Sequence, residues 1–205
     1  MHPEILNDKA REILSRIKNF KSFYLAGGTA LALQIAHRTS ADFDLFTEKE
    51  ISKKLLIQAE KVLSGFEIDI LVNNRDELTI LIDKIKLTFL SYPFPLVLKP
   101  TTFDGINILK IPEIAATKAY AIGRRATYKD YIDIFFIVSE NSCTVERIIK
   151  LAQRKFKKNF DARLFLEQLT YMEDAEDTNI QFLRNPVDKI TVQKFFEDGV
   201  KKIKL

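Results

Sequence analysis

Two short clusters carry residue types suited to phosphate and to a hard metal ion: Gly27-Gly28-Thr29 and Asp42-Phe43-Asp44. Glycines let the backbone approach a phosphate closely, and a helix that starts there offers unsatisfied N–H groups and a positive dipole end. Thr29 adds a hydroxyl. Side chains alternate across a strand, so Asp42 and Asp44 project from one face, close enough to share a cation. Mg²⁺ takes oxygen ligands, keeps several waters and is commonly held by one or two carboxylates together with substrate phosphates. Each cluster alone has a plainer reading: Asp-x-Asp is often a solvated strand edge, and Gly-Gly-Thr often only a tight turn. Their combination, a few turns of chain apart, is much more specific.

The elements around them explain how they would meet. Phe23 to Ala26 reads as a short strand closed by the two glycines, and TALALQIAHR as a helix with Thr29 at its cap. Ala41 to Phe46 alternates polar and apolar residues as a half-buried strand does. A helix of about ten residues between two strands returns the chain, setting turn and carboxylates side by side. Upstream, Ile5, Leu6, Ile13, Leu14 and Ile17 space an amphipathic helix over 4–20. Downstream, ISKKLLIQAEKVLSGF reads as a helix ending near Gly65, followed by strands at 66–72, 78–82 and 85–91. Pro93, Pro95 and Pro100 interrupt the chain, and one more strand is expected at 104–111. Beyond Pro112 the pattern is helical, with helices at about 112–124, 129–139, 144–157, 161–172 and 188–203. The expected fold is α/β in the α+β sense: a mixed-sheet core over 1–111 and a helical bundle over 112–205.

Bulk properties narrow the class. The chain has 205 residues, 46% hydrophobic and 29% charged, as in an ordinary globular protein. No apolar run approaches a membrane span, and the opening MHPEILNDKAREIL lacks the build of a signal peptide, so a cytoplasmic protein is expected. The single cysteine, Cys143, excludes an internal disulfide, and His2 and His37 are too few for a structural zinc site. A net charge of +4 and a pI near 9.0 are compatible with nucleotide or nucleic-acid partners but decide nothing alone. Arg154, Lys155, Lys157, Lys158 and Arg163, interleaved with Phe156 and Phe160, read either as a solvated helix face or as an RNA-contacting patch.

The segment YLAGGTALALQIAHRTSADFDLF resembles the signature of the AbiEii/AbiGii toxin-like branch of the nucleotidyltransferase superfamily, whose core is polymerase β-like. IPEIAATKAYAIGRRATYKDYIDIFFI is similar to the second block of that family, in the same order and separation. The resemblance implies that Gly28 and Thr29, with Gly27 in the same turn, hold triphosphate oxygens, and that Asp42 and Asp44 coordinate Mg²⁺ or Mn²⁺. It implies that Lys118 neutralises phosphate charge and that Arg125, Lys129 and Asp130 line the cleft. Arg38 and Ser40 match the run before the Asp-x-Asp, where an arginine fork suits phosphate. Plainer readings stand beside these: Lys118 as an exposed residue of an alanine-rich helix, Asp130 as a carboxylate favoured near a helix N-terminus, Asp133 as a salt-bridge partner, and Arg38 as a helix C-terminal cap. His37 is left outside the site.

One departure stands out. Polymerase β-like enzymes generally add a third carboxylate from a later strand, and here Thr88 stands where it is expected. Glu67, Asp69 and Asp130 are the candidates to replace it. The expected activity is Mg²⁺-dependent transfer of a nucleoside monophosphate from a nucleoside triphosphate to a hydroxyl of RNA, such as a tRNA 3′ end, or of a protein. The expected setting is a toxin–antitoxin or phage-defence pair with a cognate antitoxin. The rival readings are a catalytically inactive nucleotide- or RNA-binding module and a partner-binding protein that merely keeps the fold.

Overall fold

In the computed structural model, residues 1–125, 127–175 and 179–203 are described, and they separate into two units. The first comprises Met1–Pro95 with Lys99–Lys110, and the second Leu96–Leu98 with Ile111–Leu205.

The first unit is built on a seven-stranded mixed sheet. Its strands are β1 (Tyr24–Ala26), β2 (Phe43–Thr47), β3 (Ile68–Asn73), β4 (Glu77–Ile82), β5 (Ile85–Ser91), β6 (Thr101–Phe103) and β7 (Ile106–Ile108), in the spatial order β3-β4-β5-β2-β1-β7-β6. Period-two alternation gives this sheet its two faces. Phe43, Leu45, Leu78, Ile80, Leu87 and Phe89 are buried together, and Phe20 and Phe23 set their rings edge-on to Phe89 at 4.7 and 5.2 Å. The opposite face carries Asp44, Thr88 and Thr79 in register across β2, β5 and β4. Helix α1 (Asp8–Ile17) starts at Asn7, whose side chain caps the Ala10 N–H, and buries Ala10, Ile13, Leu14 and Ile17. Helix α3 (Leu55–Val62) precedes β3.

Helix α2 (Gly27–Ile35) differs from the sequence expectation at both ends. It begins at Gly27, with Ala26 as the extended residue before it, so Thr29 lies inside the first turn and is not the cap. It stops at Ile35 because Ala36 adopts left-handed backbone, φ 48°, with its N–H closing on Ala32. His37 and Arg38 therefore lie beyond the helix, and Arg38 is not its cap. The strand expected at 104–111 is present as β7, shorter than expected, and an unexpected strand, β6, precedes it: Asp104 and Gly105, both at positive φ, turn β6 into β7.

The second unit holds α4 (Ile111–Ile122), α5 (Tyr128–Ser139), α6 (Val145–Phe156), α7 (Ala162–Thr170) and α8 (Lys189–Val200). Helix α4 packs on α5, α6 and α7, while α8 packs on α5 and α7. At its centre Glu113 of α4 is fully buried with Lys155 of α6, 2.7 Å apart. The same carboxylate accepts the N–H groups of Val97 and Leu98, at 3.3 and 3.0 Å, tying that short segment to the helices. Among the described residues no helix is long and apolar enough to cross a membrane.

Candidate active site

Ala26 and Asp44 face each other in the antiparallel β1–β2 pair, so the turn leaving β1 meets the start of β2. The contact is close. A Cβ placed on Gly27 would lie 2.0 Å from Asp44 Oδ2, and Gly27 adopts φ +68°, so space and backbone both demand glycine. At Gly28 a Cβ would lie 2.6 Å from Arg38 Nη2 and 3.2 Å from Ser40 Oγ. The turn is thus bracketed by a carboxylate at one residue and a guanidinium at the next. Arg38 is buried and donates through Nη1 to the Thr39 carbonyl at 3.0 Å.

Thr29 is buried, and its hydroxyl donates to the Asp42 carbonyl while lying 2.9 Å from Ser40 Oγ. Its one hydrogen is thereby used to hold the backbone that presents Asp42, which leaves the amides of the turn as phosphate donors. Asp42 precedes β2 by one residue and is exposed; its Oδ1 accepts the Lys86 N–H of β5 at 2.9 Å. Asp44, on β2, is half-buried.

These two carboxylates fit a magnesium-type ion. Among the described residues no group of three or more His, Cys, Asp or Glu side chains forms a metal cage, and these two carboxylates are oxygen donors only. Such a set suits an ion that completes its shell with water and nucleotide phosphate. The same pair would supply nothing for a soft metal.

Thr88 pairs directly with Asp44 across β5 and β2, on the carboxylate face. Of the residues considered as its replacement, Glu67 is exposed and precedes β3, and Asp69 lies on β3, with β4 and β5 between it and β2. Asp130 belongs to the second unit and is already paired.

There Lys118, expected on one reading to be exposed, is buried at 5%. Its Nζ is 2.8 Å from Asp130 Oδ1 and also pairs with Asp133. Arg125, its side chain 64% exposed, reaches Asp130 Oδ2 through Nε at 3.0 Å. Lys129, next to Asp130 in the sequence, is half-buried. Burial, with Asp130 nearby, raises the pKa of the Tyr131 phenol. The charge network therefore runs Asp133–Lys118–Asp130–Arg125, with Asp133 as an ion-pair partner.

The basic stretch after 153 also divides. Lys155 is buried against Glu113, and Phe156 stacks on Tyr120 at 3.9 Å, so both are core residues. Arg154, Lys157, Lys158 and Arg163 are exposed. Lys158 and Phe160 line a cavity of about 260 Å³ with Arg124, whose guanidinium lies 3.4 Å from the centre of the Tyr120 ring. Sequence reasoning missed the Glu113–Lys155 pair. Its only signal is an acid and a base on two amphipathic helices, and nothing in their spacing says they meet.

An uncharacterized protein of Aquifex aeolicus is 31% identical over 202 residues, covering 96% of this chain and 97% of its own. The solved structure of MenT4, a nucleotidyltransferase toxin from Mycobacterium tuberculosis, aligns over 97% of this chain and 87% of that chain with a TM-score of 0.57 at 15% identity. JHP933 from Helicobacter pylori aligns over 94% and 95% with a TM-score of 0.52 at 17% identity. These likenesses show a shared nucleotidyltransferase fold. Residues 11–200 match the family of nucleotidyl transferase AbiEii toxins of type IV toxin–antitoxin systems. The chain belongs to that family and is a nucleotidyltransferase.

Proposed function

We propose that the protein transfers a nucleoside monophosphate from a nucleoside triphosphate to a hydroxyl acceptor, with Mg²⁺ or Mn²⁺ bound by Asp42 and Asp44. The observation that carries this is the close approach of Gly27 to the Asp44 carboxylate, which sets the glycine turn against the first residues of β2. The ion would neutralise triphosphate charge and polarise the α-phosphate. Backbone amides of Gly27, Gly28 and Thr29 would hold phosphate oxygens, and Arg38 would add positive charge beside Gly28. Thr29 and the Lys86 N–H orient Asp42. In transfer, the acceptor oxygen forms its bond to the α-phosphorus as pyrophosphate leaves with the electron pair of the broken bond. We assign Lys118 to phosphate charge in the same reaction, on the family resemblance, with Arg125 and Lys129 as further cations and the Asp130 carboxylate holding Lys118 and Arg125 in place.

The acceptor is proposed to be RNA, with a tRNA 3′ end the foremost case, and the biological setting a toxin restrained by a cognate antitoxin. The membership in a toxin family and the exposed cations of the second unit support this. The test is incubation with each α-labelled triphosphate, Mg²⁺ and total tRNA, beside a folded Asp42→Ala/Asp44→Ala variant. Label on RNA from the wild type and not from the variant is expected. Label on the protein alone would move the acceptor to a protein hydroxyl. Triphosphate binding with no label anywhere would favour a non-catalytic binding module.

A further inference from the structure

Nucleotidyl transfer must remove a proton from the attacking hydroxyl, and a base serves only within hydrogen-bond reach or through a hydrogen-bonded relay. On the Asp44 face that reach falls to Thr88, which pairs with Asp44 across the sheet and has no basic group. It is not isolated. Thr88 Oγ1 lies 3.2 Å from Thr79 Oγ1 of β4, and Thr79 Oγ1 donates to Glu77 Oε1 at 2.5 Å. Thr79 has one hydroxyl hydrogen and a carboxylate is the stronger acceptor, so Thr79 gives it to Glu77 and accepts from Thr88. Thr79 is buried at 4%, Glu77 and Thr88 are half-buried, and the three run along one face of β4 and β5 toward Asp44. Asp69, by contrast, is three strand spacings from β2, about 14 Å.

We propose that Thr88, Thr79 and Glu77 form a hydroxyl relay that replaces a directly placed third carboxylate. This rests on the transfer reaction proposed above. As the acceptor oxygen bonds to the α-phosphorus, its proton passes to Thr88 Oγ1, the Thr88 hydrogen to Thr79 Oγ1, and the Thr79 hydrogen to the Glu77 carboxylate. Each hydroxyl gives and receives one proton, and the negative charge released from Glu77 is balanced by the pyrophosphate that departs. Thr88 touches the acceptor; Thr79 and Glu77 are positioning residues that act through it.

The test compares single-turnover label transfer by wild type, Glu77→Gln, Thr79→Val, Thr79→Ser, Thr88→Asp and the double variant Thr88→Asp/Glu77→Gln, with triphosphate binding measured for each. Glu77→Gln and Thr79→Val are expected to lower kcat about 100-fold, the scale of a lost acid–base step, while the KM for triphosphate and its binding stay unchanged. Thr79→Ser keeps the hydroxyl and is expected to stay near wild type. Thr88→Asp places a base at the end of the relay, so adding Glu77→Gln to it should change little. Wild-type rates from Glu77→Gln, or a loss that Thr88→Asp leaves unrepaired, overturn the relay while the transfer reaction stands. No transfer from wild type to any acceptor overturns both.

Discussion

The glycine turn carries the sharpest expectation for a single residue. Gly27→Ala must take a left-handed backbone, which costs a non-glycine residue about 1–2 kcal/mol, and must also displace the Asp44 carboxylate. It should destabilise the fold by at least that amount in chemical denaturation and abolish metal-dependent triphosphate binding. Gly28→Ala meets the end of the Arg38 side chain and, less closely, Ser40 Oγ, at an ordinary backbone angle, and should be milder in both measurements. If the two variants bind triphosphate equally, the closeness of Gly27 to Asp44 has no bearing on the site. Cys143 offers a second check. It is buried, and burial pushes its thiol pKa up, so the thiolate that reacts is scarce at neutral pH. A maleimide should leave it unmodified until denaturant is added; rapid labelling of the folded protein would show that the α5–α6 connection opens readily. At this scale much was legible in the sequence. The glycine turn meets β2 as the spacing suggests, Gly27 against the Asp44 carboxylate. Thr29 was misplaced by one turn because its hydroxyl partner, the Asp42 carbonyl, is a backbone group that no motif displays.

Elements impose their own costs on the charged residues they carry. Lys118 sits between Asp130 and Asp133, whose side chains are 2% and 0% exposed. Lys118→Ala removes the cation between two buried carboxylates, of which Asp130 keeps Arg125, a loss of about 3 kcal/mol. Thermal melting should show a large drop, so lost activity in that variant alone says nothing about phosphate. Glu113→Ala removes the carboxylate that buried Lys155 pairs with and also the acceptor of the Val97 and Leu98 amides, so a comparable drop is expected. The start of α8 has a pH dependence of known sign. Asp188 caps it by accepting the Thr191 N–H at 2.7 Å, and that backbone hydrogen bond holds its carboxyl below the usual carboxylate value. Because the folded pKa is lowered, the contribution is complete above the unfolded value near 3.9 and is lost as pH falls through the folded value. Amide exchange of the first turn of α8 should therefore speed up in acid, and Asp188→Asn, which keeps the cap without the titration, should remove that acid response. Helical periodicity made α4 to α8 readable nearly residue by residue. The β6–β7 hairpin was not, because β6 is three partly exposed residues just after Pro100 and shows too little alternation.

For the molecule as a whole, the sheet-bearing first unit and the helical second unit follow from a period change near Pro112, from two to 3.6 residues. What the sequence did not reveal is that Leu96–Leu98, inside a proline-broken stretch, joins the second unit, since that depends on one buried carboxylate reaching two amides. The charge excess of +4 is likewise uninformative until burial divides it. Lys155 is removed from the basic stretch as a core ion pair, and Arg154, Lys157, Lys158 and Arg163 remain on the surface. If RNA is the acceptor, those four are the cations of the second unit best placed in sequence to meet phosphates, and each contact to a single strand should add about 0.7 to the steepness with which log affinity falls against log salt. Replacing Arg154, Lys158 and Arg163 by Gln should then flatten that dependence by about 2 and weaken RNA labelling, with triphosphate binding unchanged. An unaltered salt slope would make the stretch a solvated helix face, and the charge that draws an RNA acceptor would have to lie elsewhere on the chain.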